Sequence, residues 1–360
     1  MGGGLPVAAL RKRFGPAASS ASRSGYVSLN SDTHTREAGN RMVLLSGGGG
    51  GARLAGALSR VAGDRSVAVV TNPGDDFEHL GLLICPDTDS VLYSAAQNID
   101  PERGWGRAGE SWSVFDELRA LGGPGWFQLG DKDIALHLLR ASLLSEGLSL
   151  VEATESLARR LAVPPWMTVL PATESTVRTK VVSDQGELGF QEYFVARRCE
   201  PALKDVFYEG IGMASPSNAL RDFMGPRDGG AVDVVLGPSN PFLSLAPILD
   251  IPGMVPLLRG AARRVVAISP IVDGEALKGP AAKIMSELGL TVSAAEWTRW
   301  IDDRYPGLVD AWVWDASDQN LLETSSGEGR DIRVTSTLMS TPEQADRFGA
   351  WLLEACCDAD

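Results

Sequence analysis

Eight residues, Ser46-Gly47-Gly48-Gly49-Gly50-Gly51-Ala52-Arg53, constrain this 360-residue chain more than any other stretch. They follow the apolar run Met42-Val43-Leu44-Leu45, of strand length, and precede Leu54–Leu58, which reads as a helix. Glycine lets a backbone turn sharply and approach another group closely. A strand, a glycine loop and a helix together present backbone N–H groups and the positive end of the helix dipole, which is the ordinary way to hold a phosphate. The loop lacks the Gly-Lys-Ser/Thr ending of a P-loop. No ribose-binding acid after a second strand completes a dinucleotide fingerprint. Gly47, Gly48, Gly49, Gly50 and Gly51 are therefore candidates for a diphosphate cradle of another type. Arg53, one turn into the helix, reads either as a charged phosphate contact or as a solvated helix face.

Three more apolar runs end in the same kind of loop. Ser66–Thr71 leads into Asn72-Pro73-Gly74-Asp75-Asp76-Phe77-Glu78. Ala231–Leu236 leads into Gly237-Pro238-Ser239-Asn240-Pro241, and Arg264–Ser269 into Pro270–Gly274. In an open parallel sheet ligands bind at the carboxyl ends of the strands, so these four loops are expected to share one crevice. Between them the pattern predicts helices over 113–121, 134–144 and 149–161. The last carries the capping box Ser149/Glu152. A helix is expected to start near Asp89. Val177–Ser183 and Leu188–Val195 read as a hairpin about Asp184–Glu187. Helices follow at 253–261, 280–288 and 342–355. The fold class is α/β, a Rossmann-like three-layer arrangement with a mostly parallel central sheet and a smaller helical and β-hairpin subdomain. We divide the chain into a disordered tail, 1–41, rich in Gly, Ser, Ala and Arg, and one domain, 42–360, with the helical and hairpin insertion at about 110–200.

At 44% hydrophobic and 22% charged residues the composition is that of a soluble globule, and a net charge of −13 argues against a nucleic-acid partner. No apolar run reaches transmembrane length, so no membrane is expected. Cys85, Cys199, Cys356 and Cys357 show no metal-ligand spacing, which fits a reducing cytoplasm.

Asp75 and Asp76 close a strand. With Asp87 and Asp89 they offer hard oxygen ligands of the kind Mg²⁺ takes beside substrate phosphates. Adjacent loop acids also serve as caps or solvated charges. An Asp here could orient an attacking hydroxyl. His79, beside the acidic loop, is a candidate for lining a site, whereas His137 lies in a helical apolar pattern and reads as packed. Trp105, Trp112 and Trp126 read as core or lid packing. In Asp131-Lys132-Asp133, Lys132 either reaches a ligand, with Asp133 fixing it, or the three cap a helix. The two prolines of Gly237-Pro238-Ser239-Asn240-Pro241 stiffen a turn whose Ser and Asn are free to donate to a phosphate or a base.

Taken in order, these segments resemble the 2-phospho-L-lactate transferases (CofD) of coenzyme F420 biosynthesis. The resemblance spans about 42–318. Its pieces include Leu45–Arg53, Asn72 with Gly74-Asp75-Asp76, Cys85–Tyr93, Arg103-Gly104-Trp105-Gly106 and Trp126–Asp133. Phe190–Val195, Gly237–Pro241, Ser269-Pro270-Ile271 and Leu277–Ala281 complete the series. The resemblance implies a transferase that moves a phospho-small-acid group of the 2-phospho-L-lactate, phosphoenolpyruvate or 3-phosphoglycerate type. The donor would be its GDP-activated form and the acceptor the ribityl hydroxyl of the deazaflavin FO, giving F420-0 or a variant plus GMP. It implies Mg²⁺, a homodimer, and roles by position. Asp75 would be metal ligand and catalytic, with Asp76 beside it. Asp89, Lys132 and Asp133 would hold FO. Gly47–Gly51, Arg53, Gly237, Pro238, Ser239 and Asn240 would hold the guanylyl diphosphate. The alternative is a nucleotide-sugar-binding regulatory protein of the gluconeogenesis-factor type, whose glycine loop and Gly-Pro-Ser turn look similar; the Asp87-Thr88-Asp89, Gly104-Trp105-Gly106 and Phe190-Gln191-Glu192 pieces favour the transferase.

Overall fold

The computed structural model describes residues 41–226, 232–276, 279–322 and 329–354. The tail assigned to 1–41 lies outside them except for Arg41, which is the first residue of a strand. Leu277 and Lys278 also lie outside. The chain opens with β1 (Arg41–Ser46), α1 (Gly48–Val61) and β2 (Ser66–Thr71). A short hairpin, β3 (Phe77–His79) and β4 (Leu82–Ile84), leads into α2 (Pro86–Ala95). Helices α3 (Ser113–Ala120), α4 (Asp131–Ser145) and α5 (Leu150–Arg160) precede β5 (Met167–Pro171). Then come β6 (Arg178–Ser183), β7 (Gly186–Gly189) and β8 (Leu203–Glu209), an antiparallel sheet of order β7-β6-β8. The second half holds α6 (Asn218–Met224), β9 (Val232–Leu236), α7 (Ala246–Leu249), α8 (Met254–Ala261) and β10 (Ala262–Ile268). After the small pair β11 (Ile271–Val272) and β12 (Glu275–Ala276) come α9 (Ala281–Glu287), α10 (Ala294–Arg304), β13 (Ala311–Asp315), β14 (Ile332–Thr335) and a last helix, Pro342–Leu352.

Seven strands form the central sheet in the order β14-β13-β10-β9-β1-β2-β5, and every neighbouring pair is parallel. Parallel sheets are covered on both faces, so their strands read as continuous apolar runs. β1 shows why. Val43 and Leu45 point to one face and join the buried cluster that includes Phe242, Trp297 and Ile301. Met42 and Leu44 point to the other and join the cluster that includes Leu54, Leu58, Leu92 and Phe348. Alternation along one strand thus feeds two helical layers, and each such fully buried side chain contributes about 1.5–3 kcal/mol. The three-layer α/β arrangement is as the sequence implies. No single helix among the described residues is long and apolar enough to cross a membrane.

Strand order reverses between β1 and β9: from β1 the chain moves out through β2 to β5, then returns to build β9, β10, β13 and β14 on the other side. That switch point leaves a crevice at the carboxyl ends of β1 and β9. The stretch 110–200 contains more than an insertion, since β5 within it is the edge strand of the central sheet. α3–α5 belong to the crossover from β2 to β5, and β6–β8 form a separate small sheet beyond.

Three local readings change. Gly48–Gly51 are not a loop but the first turn of α1, with Gly47 as its extended N-cap. α2 begins at Pro86, three residues before Asp89, because a proline at the first helical position loses no hydrogen bond there. The second hairpin strand stops at Gly189. Glu192–Ala196 then form a π-helical turn, whose Phe194 stacks on the preceding Phe190 at 5.4 Å.

Candidate active site

A cavity of about 710 Å³ lies over the switch point. The ends of all four predicted strands reach it, through Gly47–Gly50, Asp75, Pro238–Asn240 and Ser269–Pro270. The expected convergence is therefore present.

Glycine is required at the first turn of α1 by close approach. A Cβ on Gly47 would stand 2.5 Å from Ser244 Cβ, one on Gly50 2.3 Å from Pro238 O, and one on Gly51 2.4 Å from Ser46 Oγ. Gly48 has φ +64°, a conformation glycine adopts without strain. The helix start is thus pressed against the 237–240 turn. Ser239 Oγ ties the two, accepting from Gly47 N at 3.2 Å and donating to Gly47 O at 2.8 Å. Gly48 N donates to Asp87 Oδ1 at 2.6 Å. The amides of Gly49 and Gly50 have no acceptor within the helix and line the cavity. They are the part of the glycine run placed to meet an anion. Arg53 also lines the cavity, half-buried.

Asn240 was expected to donate to a ligand, and half of it has another task. Its Oδ1 accepts from Phe242 N (2.9 Å) and Leu243 N (3.1 Å), capping the helical segment that leads into α7. Its Nδ2 is buried without a partner. Gly237 continues the ladder, donating to Leu45 O at 3.0 Å, and like Gly51 it does not line the cavity.

Asn72, at the end of β2, organises the acids. Its Nδ2 donates to Asp87 Oδ2 and to Leu243 O, both at 2.9 Å, and its Oδ1 accepts from Gly74 N at 2.8 Å. This holds Asp75 and Asp87 together in the cavity wall. Burial pushes the Asp75 carboxyl well above the usual range, and the charge of Asp87 pushes it further, against a hydrogen bond from Asn72. Burial likewise raises Asp87 to about 6, opposed by its bonds from Asn72 and Gly48. Asp75 Oδ1 is buried with no partner. Asp76 turns away from the cavity. Burial raises it to about 7 while Arg178 and Arg140 pull it down.

A second lobe is aromatic. Trp105, Trp126 and Phe127 line it. Phe77 and His79 pack behind, His79 edge-on to Trp126 at 5.4 Å. His79 itself does not line the cavity, and His137 does. The two histidines exchange the parts expected of them. Asp89 and Asp133 line this lobe. Asp89 is held by both terminal nitrogens of the fully buried Arg140. Asp133 Oδ1 accepts from the Tyr93 hydroxyl at 2.5 Å. Burial, then the charge of Asp89, raises Asp133 to about 7. Lys132 is not brought into the cavity. Its Nζ donates to Ala108 O at 2.8 Å on the outside. Asp131 caps α3, accepting from Val114 N at 3.0 Å and Ser113 N at 3.2 Å.

Tyr93, His137 and Arg140 are the site residues to which sequence reasoning gave no part, and Asn72 was placed in the crevice without a role. A signal existed for two of them. His137 and Arg140 follow Asp133 by four and seven residues on α4, and so share its helical face.

The arrangement pairs a helix start suited to an anion with two crowded carboxylates and an aromatic lobe edged by Asp89 and Asp133. Group transfer draws on such placed charges, because positioning and charge stabilisation supply most of its catalysis. The family model described as 2-phospho-L-lactate transferase CofD matches residues 42–338. A phosphoenolpyruvate transferase of Streptomyces griseus is 36% identical over 319 residues, covering 87% of this chain and 98% of its own. A 2-phospho-L-lactate transferase of Methanococcoides burtonii is 34% identical over 302 residues, covering 84% and 95%. A solved structure of a upf0052 family member from Bacillus halodurans superposes with a TM-score of 0.57 over 88% of this chain and 99% of its own, at 16% identity, so the fold is shared. On this match, and on the site that accompanies it, the chain belongs to the CofD family of transferases.

Proposed function

We propose that the protein transfers a phospho-small-acid group from its GDP-activated form to the ribityl hydroxyl of the deazaflavin FO, a step of coenzyme F420 biosynthesis. The group is of the 2-phospho-L-lactate, phosphoenolpyruvate or 3-phosphoglycerate type. The observation that carries this reading is that the crowded Asp75/Asp87 pair lies in one cavity with both the N-terminus of α1 and the aromatic lobe. The diphosphate sits at the Gly49 and Gly50 amides with Arg53 beside it, and Asn240 Nδ2 supplies a further donor. The aromatic lobe, edged by Asp89 and Asp133, takes FO.

The acids fit a magnesium ion. Burial and the charge of Asp87 raise the proton affinity of Asp75, and one oxygen of Asp75 has no partner. Among the described residues no cluster of three or more His, Cys, Asp or Glu forms a closed metal cage, in keeping with a cation that keeps waters and substrate phosphates as its other ligands. Asp75 would hold it, and when bound it offsets the negative charge of the diphosphate. The protein's own part is placement. The hydroxyl oxygen of FO forms a bond to the phosphorus that bears the small acid. The bond from that phosphorus to the GMP oxygen breaks, and GMP leaves with the electron pair. The hydroxyl proton passes to the Asp75 carboxylate, through the oxygen that a cation would leave free. Asp76, behind the wall, supports this loop. The same reading puts the enzyme in the cytoplasm as a homodimer.

The test is product analysis. Purified protein with FO, Mg²⁺ and each of the three GDP-linked acids should release GMP only when all three components are present. Mass spectrometry identifies which acid reaches FO. Binding of a UDP-sugar without any FO-dependent turnover would overturn the transferase reading in favour of a regulatory nucleotide-sugar binder.

A further inference from the structure

The cavity wall is unevenly charged. Four carboxylates line it, those of Asp75, Asp87, Asp89 and Asp133, against two guanidinium groups among the described residues, those of Arg53 and Arg103. Each of the three groups proposed for transfer carries a carboxylate besides its phosphate. Among so many acids a further carboxylate is repelled unless a cation meets it.

The two arginines face different parts of the cavity. Arg53 follows Gly49 by four residues and Gly50 by three on α1. Helical side chains lean toward the N-terminus, so Arg53 serves the anion that the Gly49 and Gly50 amides meet. Arg103 belongs to the aromatic lobe, two residues before Trp105. Its guanidinium carbon is 4.7 Å from the ring centre of Trp112 and 5.9 Å from that of Trp105. A guanidinium stacked by its face keeps its N–H groups, which lie in its plane, for hydrogen bonds. Only Nη1 has an acceptor among the described residues, Asp100 Oδ2 at 3.3 Å. The arginine side chain is 40% exposed, so that pair holds weakly. The loop that presents Arg103 is closed on itself. Asp100 N donates to Gly106 O at 3.1 Å, Gly104 N to Asp100 O at 2.9 Å and Ala108 N to Asn98 O at 2.8 Å. The guanidinium is therefore offered by a preformed segment, with little ordering left to do on binding.

We propose that Arg103 binds the carboxylate of the small acid on the GDP-linked donor, through its free Nε and Nη2 in the paired geometry that arginine gives carboxylates. The inference rests on the donor reading above and adds the residue that tells an acid from a plain ester. The small acid hangs from the outer phosphate, the one that the acceptor hydroxyl attacks. Its carboxylate therefore belongs on the acceptor side of the diphosphate, where Arg103 stands, and not at the start of α1. The carboxylate stays with the transferred group, so one contact holds that group before and after transfer.

Calorimetric titration with Mg²⁺ but without FO tests this in the absence of turnover. The ligands are GDP, each of the three GDP-linked acids, and GDP bearing an ethyl group on its outer phosphate, which lacks the carboxylate. Wild-type protein should bind the best of the acids at least about tenfold more tightly than the ethyl ester, the worth of a charged hydrogen bond. Arg103→Gln should erase that preference while binding GDP and the ethyl ester as wild type does, which also shows its pocket intact. Arg53→Gln should weaken every ligand and keep the preference. The contact is refuted, and the donor reading stands, if Arg103→Gln retains the preference, if Arg53→Gln is the variant that loses it, or if a folded Arg103→Gln loses GDP as much as the acids. It is refuted likewise if wild-type protein binds acid and ester equally. Wild-type protein that binds none of the GDP-linked acids refutes the donor and this contact together.

Discussion

Asp75 is the residue on which the proposed chemistry turns, and its burial makes the prediction sharp. Asp75→Asn removes a carboxylate that Asp87 crowds. Turnover should fall by about a hundredfold or more, while the melting temperature holds or rises, because a buried like-charge contact is gone. Unimpaired GMP release from a folded variant would take Asp75 out of the mechanism. Asp133 yields a pH prediction. Its carboxyl is raised to about 7 in the native state, above the ordinary value near 3.9 in the unfolded chain. The native state therefore binds the extra proton between those two values. The resulting stabilisation is complete below pH 4 and is lost as pH rises through 7. Asp133→Asn mimics the protonated form, so its stability relative to wild type should climb across that window, by up to about 4 kcal/mol at pH 8. Denaturant melts at pH 4.5 and pH 8 measure it, and a constant difference between variant and wild type contradicts the raised value. At this scale the sequence was readable only in part. Asp75 announced itself by lying at a strand end. Arg140 did not, because a charge in an amphipathic helix reads as solvated until its buried partner is known. Lys132 showed the opposite error: a lysine between two acids suggested a ligand contact, and a backbone carbonyl outside the cavity takes it instead.

Among the elements, α1 was legible as a helix but not in where it begins. Five glycines suggest a loop by propensity, yet packing against the 237–240 turn admits nothing larger there, so tertiary contact overrides the local cost. Gly50→Ala tests this. Its Cβ would stand 2.3 Å from Pro238 O, a backbone atom that cannot swing aside. The substitution should cost about 1–3 kcal/mol in stability. It should also raise the KM of the GDP-linked donor more than that of FO, since only the α1 end of the cavity shifts. Equal effects on both substrates would argue against separate lobes. The capping box of α5 and the central strands were legible because each depends on neighbours close in sequence or on uninterrupted apolar runs. The π-helical turn at Glu192–Ala196 was not, because Phe190–Val195 carries β-branched and aromatic residues in a run that suits a strand equally well.

For the whole molecule, the two lobes make a prediction about linkage. A ligand that binds only the native state raises its stability by an amount set by concentration over Kd, about 2.7 kcal/mol at a hundredfold excess. GDP should therefore raise the melting temperature, and should do so more with Mg²⁺ than after chelation, because the acids beside the diphosphate repel it when no cation stands between. FO alone should stabilise without regard to Mg²⁺. A GDP shift indifferent to chelator would move the metal away from Asp75. The sheet order has a different consequence, for the time course of folding. β1 is flanked by β2 on one side and β9 on the other, and the bond from Ser239 to Gly47 joins residues 192 positions apart. Half of the crevice therefore waits on a strand that leaves the ribosome long after the first has emerged. Until β9 arrives, one edge of β1 and its apolar flanks have no partner. Such long-range parallel pairing is slow to form and prone to aggregation while incomplete. A chain truncated before Val232 should thus be recovered as aggregate, not as a half-active core.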